Sequence, residues 1–204
     1  MGLSFPLGFV NDMAKETGIA GALSVYKKPA TLRMLFLGFS SGLPLLLVLG
    51  TLGFWLRESG VDLKTIGFMS WVGLCWGMKW LWAPLVDCLR LPYLTRAFGR
   101  RRAWLFSAQI GLMISLGVLA FVNPARELAL TGFLAAATAF FGATQDIAID
   151  AYRIESGTEK EQAAFAAAYQ TGYRIAMIWA GAGALAIAGA FESSAWGGWR
   201  VAYL

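Results

Sequence analysis

Lys79, Asp146 and Arg174 each stand inside an otherwise apolar stretch of helix length. About 20 mainly apolar residues cross a bilayer as an α-helix. A charge at the centre of such a helix costs about 2.5–3.5 kcal/mol on insertion scales, so it turns toward a bundle interior or a water-filled cavity. These three residues restrict the chain to an all-α polytopic membrane protein that keeps charge inside it. That is the arrangement expected of solute translocation.

Composition agrees. Hydrophobic residues make up 58% of the 204 and charged residues 14%, against about 25% charged in a soluble domain. Mean hydropathy is +0.59. The basic residues fall between the apolar stretches rather than on one solvated face, which argues against nucleic-acid binding. There is no histidine, which removes the usual metal ligand and neutral-pH base; no metal is expected. Cys75 and Cys88, placed on one predicted helix roughly 20 Å apart, cannot bridge to each other. Residues 1–30 lack the basic start and continuous apolar core of a signal peptide. They read as a cytoplasmic N-terminal segment, partly an interfacial helix.

The transmembrane region expected over 31–204 holds five spans, at about 34–56, 65–89, 103–122, 128–152 and 163–190, and the start of a sixth. Lys and Arg number 17. Eleven lie in the N-terminal segment and the loops after the second and fourth spans, four lie in the alternate loops, and two are Lys79 and Arg174. The positive-inside rule places the N-terminus in the cytoplasm. Small residues at four-residue spacing (Gly38/Gly42, Gly73/Gly77, Ala135/Ala139/Ala143, Gly172/Ala176/Ala180/Ala184) predict close helix packing. Trp55, Trp104, Trp196 and Trp199 are expected in an interfacial belt.

Asp87 at the end of the second span, followed by Gly99-Arg100-Arg101-Arg102, is similar to the loop motif of the major facilitator superfamily, with a longer insert containing Pro92. Further segments narrow the resemblance: Phe36-Leu-Gly-Phe-Ser-Ser-Gly-Leu-Pro44, Asp62-Leu-Lys-Thr-Ile-Gly67 and Lys79-Trp-Leu-Trp-Ala-Pro-Leu-Val-Asp87. Gln145-Asp-Ile-Ala-Ile-Asp-Ala151 and Gly172-Tyr-Arg174 complete it. In this order, from about Thr31 to Leu204, they resemble the bacterial anhydromuropeptide permease family (AmpG type). The resemblance implies an inner-membrane secondary transporter rather than an enzyme. Its substrate would be peptidoglycan-derived anhydromuropeptides, imported from periplasm to cytoplasm on the proton gradient with no cofactor. It also implies roles in cell-wall recycling and β-lactamase induction. Such permeases have two six-helix halves, so the chain reads as an N-terminal half that lacks its C-terminal partner, whether as a gene fragment, a truncated product or a split chain.

The charges then divide by role. Lys79 either pairs with Asp146 or faces the carboxylates of the substrate. Asp146 and Asp150 share a helix face, and two carboxylates one turn apart disfavour double ionisation, which suits proton coupling. Arg174 either binds a substrate carboxylate or pairs with Asp146. Gln145, Tyr173 and Ser41 are candidate lining residues, and Ser41 could equally satisfy carbonyls freed by Pro44. Asp87, Gly99, Arg100, Arg101 and Arg153 are assigned to a cytoplasmic gate, with Asp150 joined to Asp87 in one network. Three alternatives stay open: a facilitator for another bulky anion such as an acyl-coenzyme A or siderophore, a membrane-embedded enzyme, and a non-transporting remnant.

Overall fold

The computed structural model describes residues 28–195 and 197–204. The readings that fall on residues 1–27 and on Trp196 lie outside the described residues. Among the described residues, four helices are long and apolar enough to cross a membrane. α1 covers Pro29–Glu58. After it come three short helices, α2 (Leu63–Met69), α3 (Leu74–Gly77) and α4 (Ala83–Cys88). The short α5 (Leu94–Phe98) leads into α6 (Arg100–Leu119) and α7 (Leu128–Ser156). α8 starts as Glu159–Ile178 and continues to Ala190, and α9 (Gly198–Tyr203) starts the sixth segment. Among the described residues there is no strand.

The second predicted span, 65–89, differs most from expectation. It is not one regular helix, and Cys75 and Cys88 lie on separate pieces, α3 and α4. 3₁₀ turns at Ser70–Gly73 and Lys79–Leu81 separate those pieces. Glycines at 67, 73 and 77 lower helix propensity along it, and Pro84 gives no N–H to the preceding turn. Lys79 therefore projects from a tight turn. Asp62 caps the start of α2, its carboxylate accepting from the Thr65 amide at 3.1 Å and from the Thr65 hydroxyl. These bonds hold its pKa below the usual aspartate value.

α1, α7 and α8 form the inner triangle. α1 and α8 run parallel: Gly38 lies against the Tyr169 carbonyl, Gly42 against that of Tyr173, and Gly172 against that of Leu35. A Cβ at Gly38 or Gly172 would come within 2.0 Å of the facing carbonyl oxygen, so only glycine permits this approach. The small-residue stripes on α1 and α8 thus pack as expected. Ala135, Ala139 and Ala143 are buried too. Gly77, by contrast, has no neighbour facing its missing Cβ.

α7 runs antiparallel to α1, with Gly142 beside Pro44, and antiparallel to α6, with Gly111 beside Phe141. Its buried threonines 131, 138 and 144 return their hydroxyls to carbonyls four residues back, so these three hydroxyls are not stranded in an apolar core.

Each of α1 and α8 contains one π-helical turn, Leu47–Thr51 and Trp179–Gly183. The two are tied where Thr51 Oγ1 donates to the Ala180 carbonyl at 2.6 Å, and Tyr203 donates to the Leu47 carbonyl at 2.9 Å. Trp55 is a correction: it is buried in the core, stacked on Trp199 with ring centroids 6.0 Å apart, rather than in an interfacial belt. Trp199 in turn donates to Glu58 at 2.7 Å.

Candidate functional site: a buried carboxylate between three helices

Asp146 of α7 faces α1 inside the inner triangle, 6% exposed. Its place on a regular helix packed by alanines and threonines leaves little freedom to turn toward water. Ser41 of α1, 2% exposed, donates its hydroxyl to Asp146 Oδ1. On the other side Lys79 Nζ stands 4.0 Å from Asp146 Oδ2 and 3.6 Å from Asp150 Oδ2. The two carboxylates one turn apart thus share a single ammonium. Asp150 is also approached by Arg153 at 3.6 Å.

A buried ion pair is weak evidence of net stabilisation, because desolvation of both charges opposes their attraction. Removing one partner is a different matter, since it strands the other charge. An arrangement with two acids and one base can accept a proton without stranding anything: if Asp146 is neutralised, Lys79 still has Asp150.

Behind this cluster, Gln145 is fully buried and donates to Ser40 Oγ at 3.3 Å, while its Oε1 has no protein partner. Tyr169 places its hydroxyl 2.9 Å from Ser41 Oγ, and its ring centroid lies 6.2 Å from that of Tyr173.

Other assigned residues fall elsewhere. Arg174 is exposed, with no ion-pair partner among the described residues. Of the two roles open to Arg174, the pair with Asp146 is not formed: α8 turns Tyr169 and Tyr173 toward the triangle and Arg174 away from it.

The proposed link between Asp150 and Asp87 is corrected as well. Arg101 bridges Asp87 to Glu155, reaching Glu155 Oε1 at 2.9 Å, whereas Asp150 belongs to Lys79 and Arg153. Gly99, with φ +82°, makes the turn that starts α6 and so aims Arg101 at both acids. Arg100 is exposed at the same turn. The Lys79 and Arg101 clusters flank one open cleft of about 430 Å³, lined also by Ile147, Ala151 and Ile154.

Two residues were missed from sequence. Tyr169 lies one turn before Tyr173 on the same face, and Glu155 lies one turn beyond Ala151 at the end of α7. Helical periodicity from residues already singled out reaches both.

The four long apolar helices, with a charge buried among them, define a multi-pass membrane protein. The family described as acetyl-coenzyme A transporter 1 matches residues 31–127. The chain is 40% identical to the anhydromuropeptide permease of Escherichia coli K12 over 181 residues, 89% of this chain and 35% of that protein. It is 36% identical to a putative AmpG 4 transporter of Rickettsia felis, over 80% of this chain and 39% of that one. Over these stretches the chain is similar to AmpG-type permeases. It spans about a third of the length of the curated relatives it matches.

Proposed function

We propose that the chain forms one half of a proton-driven importer that carries peptidoglycan-derived anhydromuropeptides from periplasm to cytoplasm for cell-wall recycling. β-Lactamase induction through the imported fragments belongs to the same proposal. One observation carries it: a buried carboxylate shared between a hydroxyl and an ammonium, in a chain 40% identical to a protein named for this cargo.

Asp146, with Asp150 one turn on, takes the proton. Lys79 alternates between the two acids and the anionic cargo. Tyr173 contacts the cargo, and Gln145 and Ser41, buried between the helices here, line its path once the bundle opens. Arg174, exposed on α8, offers a guanidinium to cargo carboxylates where a second, C-terminal half closes over it. The Asp87–Arg101–Glu155 bridge, with Gly99, Arg100 and Arg153 around it, closes the basic end of the cleft. That end faces the cytoplasm of an inner membrane by the positive-inside rule.

The match to the acetyl-coenzyme A transporter family supports a second reading, an acyl-coenzyme A as cargo. Uptake of labelled anhydromuropeptide by cells lacking their own permease tests both. The chain is expressed alone and with a C-terminal six-helix half. Uptake is expected only with both halves, undiminished by excess acetyl-coenzyme A. Inserted protein that gives no uptake in either form contradicts the proposal and favours a non-transporting remnant.

A further inference from the structure

Asp146 is reached by a second hydroxyl standing behind the first. A serine hydroxyl has one hydrogen to give and lone pairs to receive. With Asp146 ionised, the Ser41 hydrogen goes to Oδ1, so the 2.9 Å contact with Tyr169 has the phenol as donor. With Asp146 protonated on Oδ1, the carboxyl becomes the donor, Ser41 Oγ receives, and the serine hydrogen turns to the phenol oxygen. The same three oxygens serve both charge states with the direction of donation reversed.

We infer that Tyr169 is a positioning residue for Asp146, relaying protons to it through Ser41; this rests on the proton role proposed for Asp146. A hydronium ion arriving at Tyr169 gives its proton to the phenol oxygen. The phenolic hydrogen passes to Ser41 Oγ, and the serine hydrogen passes to Asp146 Oδ1. One O–H bond breaks and one forms at each oxygen along the way. The net result is water released at one end and a neutral carboxyl at the other, with Tyr169 and Ser41 unchanged.

The surroundings fit a relay rather than a store. The Arg153 guanidinium lies 5.9 Å from the Tyr169 ring centroid, which disfavours a positive charge resting there. At the far end the sink is anionic: Asp146 and Asp150 face one Lys79 at 4.0 and 3.6 Å. Gln145 turns its amide to Ser40 rather than into the line. Tyr173 packs beside Tyr169 on α8, and Arg174 points away. The line crosses α1 and α8 where their backbones are closest, Gly38 against the Tyr169 carbonyl. A small separation of these helices would break it, which ties proton delivery to the state of the bundle.

The test is Tyr169→Phe in the transporter completed with its second half and reconstituted into vesicles. Gradient-driven accumulation of labelled anhydromuropeptide is compared with its exchange across a membrane without a gradient. Accumulation is expected to slow at least about tenfold, within the range of a lost acid–base group, while exchange stays within about twofold. Ser41→Ala should lose accumulation alongside it. Tyr169→Phe accumulating at the unaltered rate, with Asp146→Asn unable to, overturns the relay and leaves the Asp146 role standing. Equal loss of accumulation and exchange in Tyr169→Phe, with normal membrane insertion, overturns it too by making Tyr169 merely structural. Normal accumulation in Asp146→Asn overturns the reading beneath it.

Discussion

Asp146→Asn should abolish gradient-driven accumulation of anhydromuropeptide while leaving the protein inserted and folded. The amide nearly matches the carboxylate in size and still accepts from Ser41, so the α1–α7 contact survives. What disappears is the proton-binding oxygen. Lys79 keeps Asp150 at 3.6 Å, so the ammonium is not stranded and the usual penalty for breaking a buried pair is largely avoided. One charge carried down a membrane potential is worth about 2.3 kcal/mol per 100 mV. That corresponds to about fiftyfold in an equilibrium ratio. Accumulation should accordingly fall by at least about tenfold, toward the level of passive equilibration. Tracer ratios inside and outside energised vesicles measure this directly, and undiminished accumulation would remove Asp146 from the coupling machinery. Lys79→Ala is a harsher change, because it leaves two carboxylates one turn apart without their shared cation.

Gly172→Ala should be among the most destabilising single-methyl changes in the chain. Its new Cβ would stand 2.0 Å from the Leu35 carbonyl oxygen and 2.9 Å from the Phe39 amide nitrogen. Both are backbone atoms, so no rotamer change relieves the clash, and α1 and α8 have to move apart. Overpacking of this kind costs about 1–3 kcal/mol, sometimes more. It also pulls Tyr169 from Ser41, three residues away on the same interface. Gly77→Ala is the matched control, with no heavy atom facing its Cβ within 4 Å. There the ordinary advantage of alanine over glycine in a helix, up to about 1 kcal/mol, should leave stability unchanged or raised. Equilibrium unfolding of the two variants in the same detergent separates them. Equal stability would mean that the α1–α8 contact is not the close backbone approach described above.

Much of this architecture was legible because two of its causes are local. Apolar runs of helix length are visible in sequence, and α1, α6, α7 and α8 follow four of them closely. Small residues every fourth position announced the α1–α8 seam. The second span was misjudged in regularity because hydropathy reports where a segment can lie and says little about its backbone. Three glycines and Pro84 together break it into pieces, though each alone is tolerated in a membrane helix.

The site was legible in its members and in one of its pairings, Lys79 with Asp146. Lys79 and Asp146 stand out as charges in apolar surroundings, and the structure brings them together. Arg174 stands out equally, yet its rotation about α8 sends it outward, which depends on which face of the helix meets α1. Tyr169 and Glu155 gave no compositional signal: a tyrosine in a helix and a glutamate at its end are ordinary. Their importance comes from contacts with Ser41 and Arg101, which are distant in sequence and meet only in the folded bundle.

The most direct test of the central claim is proton movement itself. Vesicles holding the completed transporter, with no gradient imposed, receive anhydromuropeptide from outside while the external pH is recorded. Coupled import predicts alkalinisation that begins on addition of the muropeptide, scales with the amount taken up and vanishes in Asp146→Asn. Uptake of the muropeptide with no pH change would contradict a proton-coupled carrier and leave the buried carboxylate a structural group.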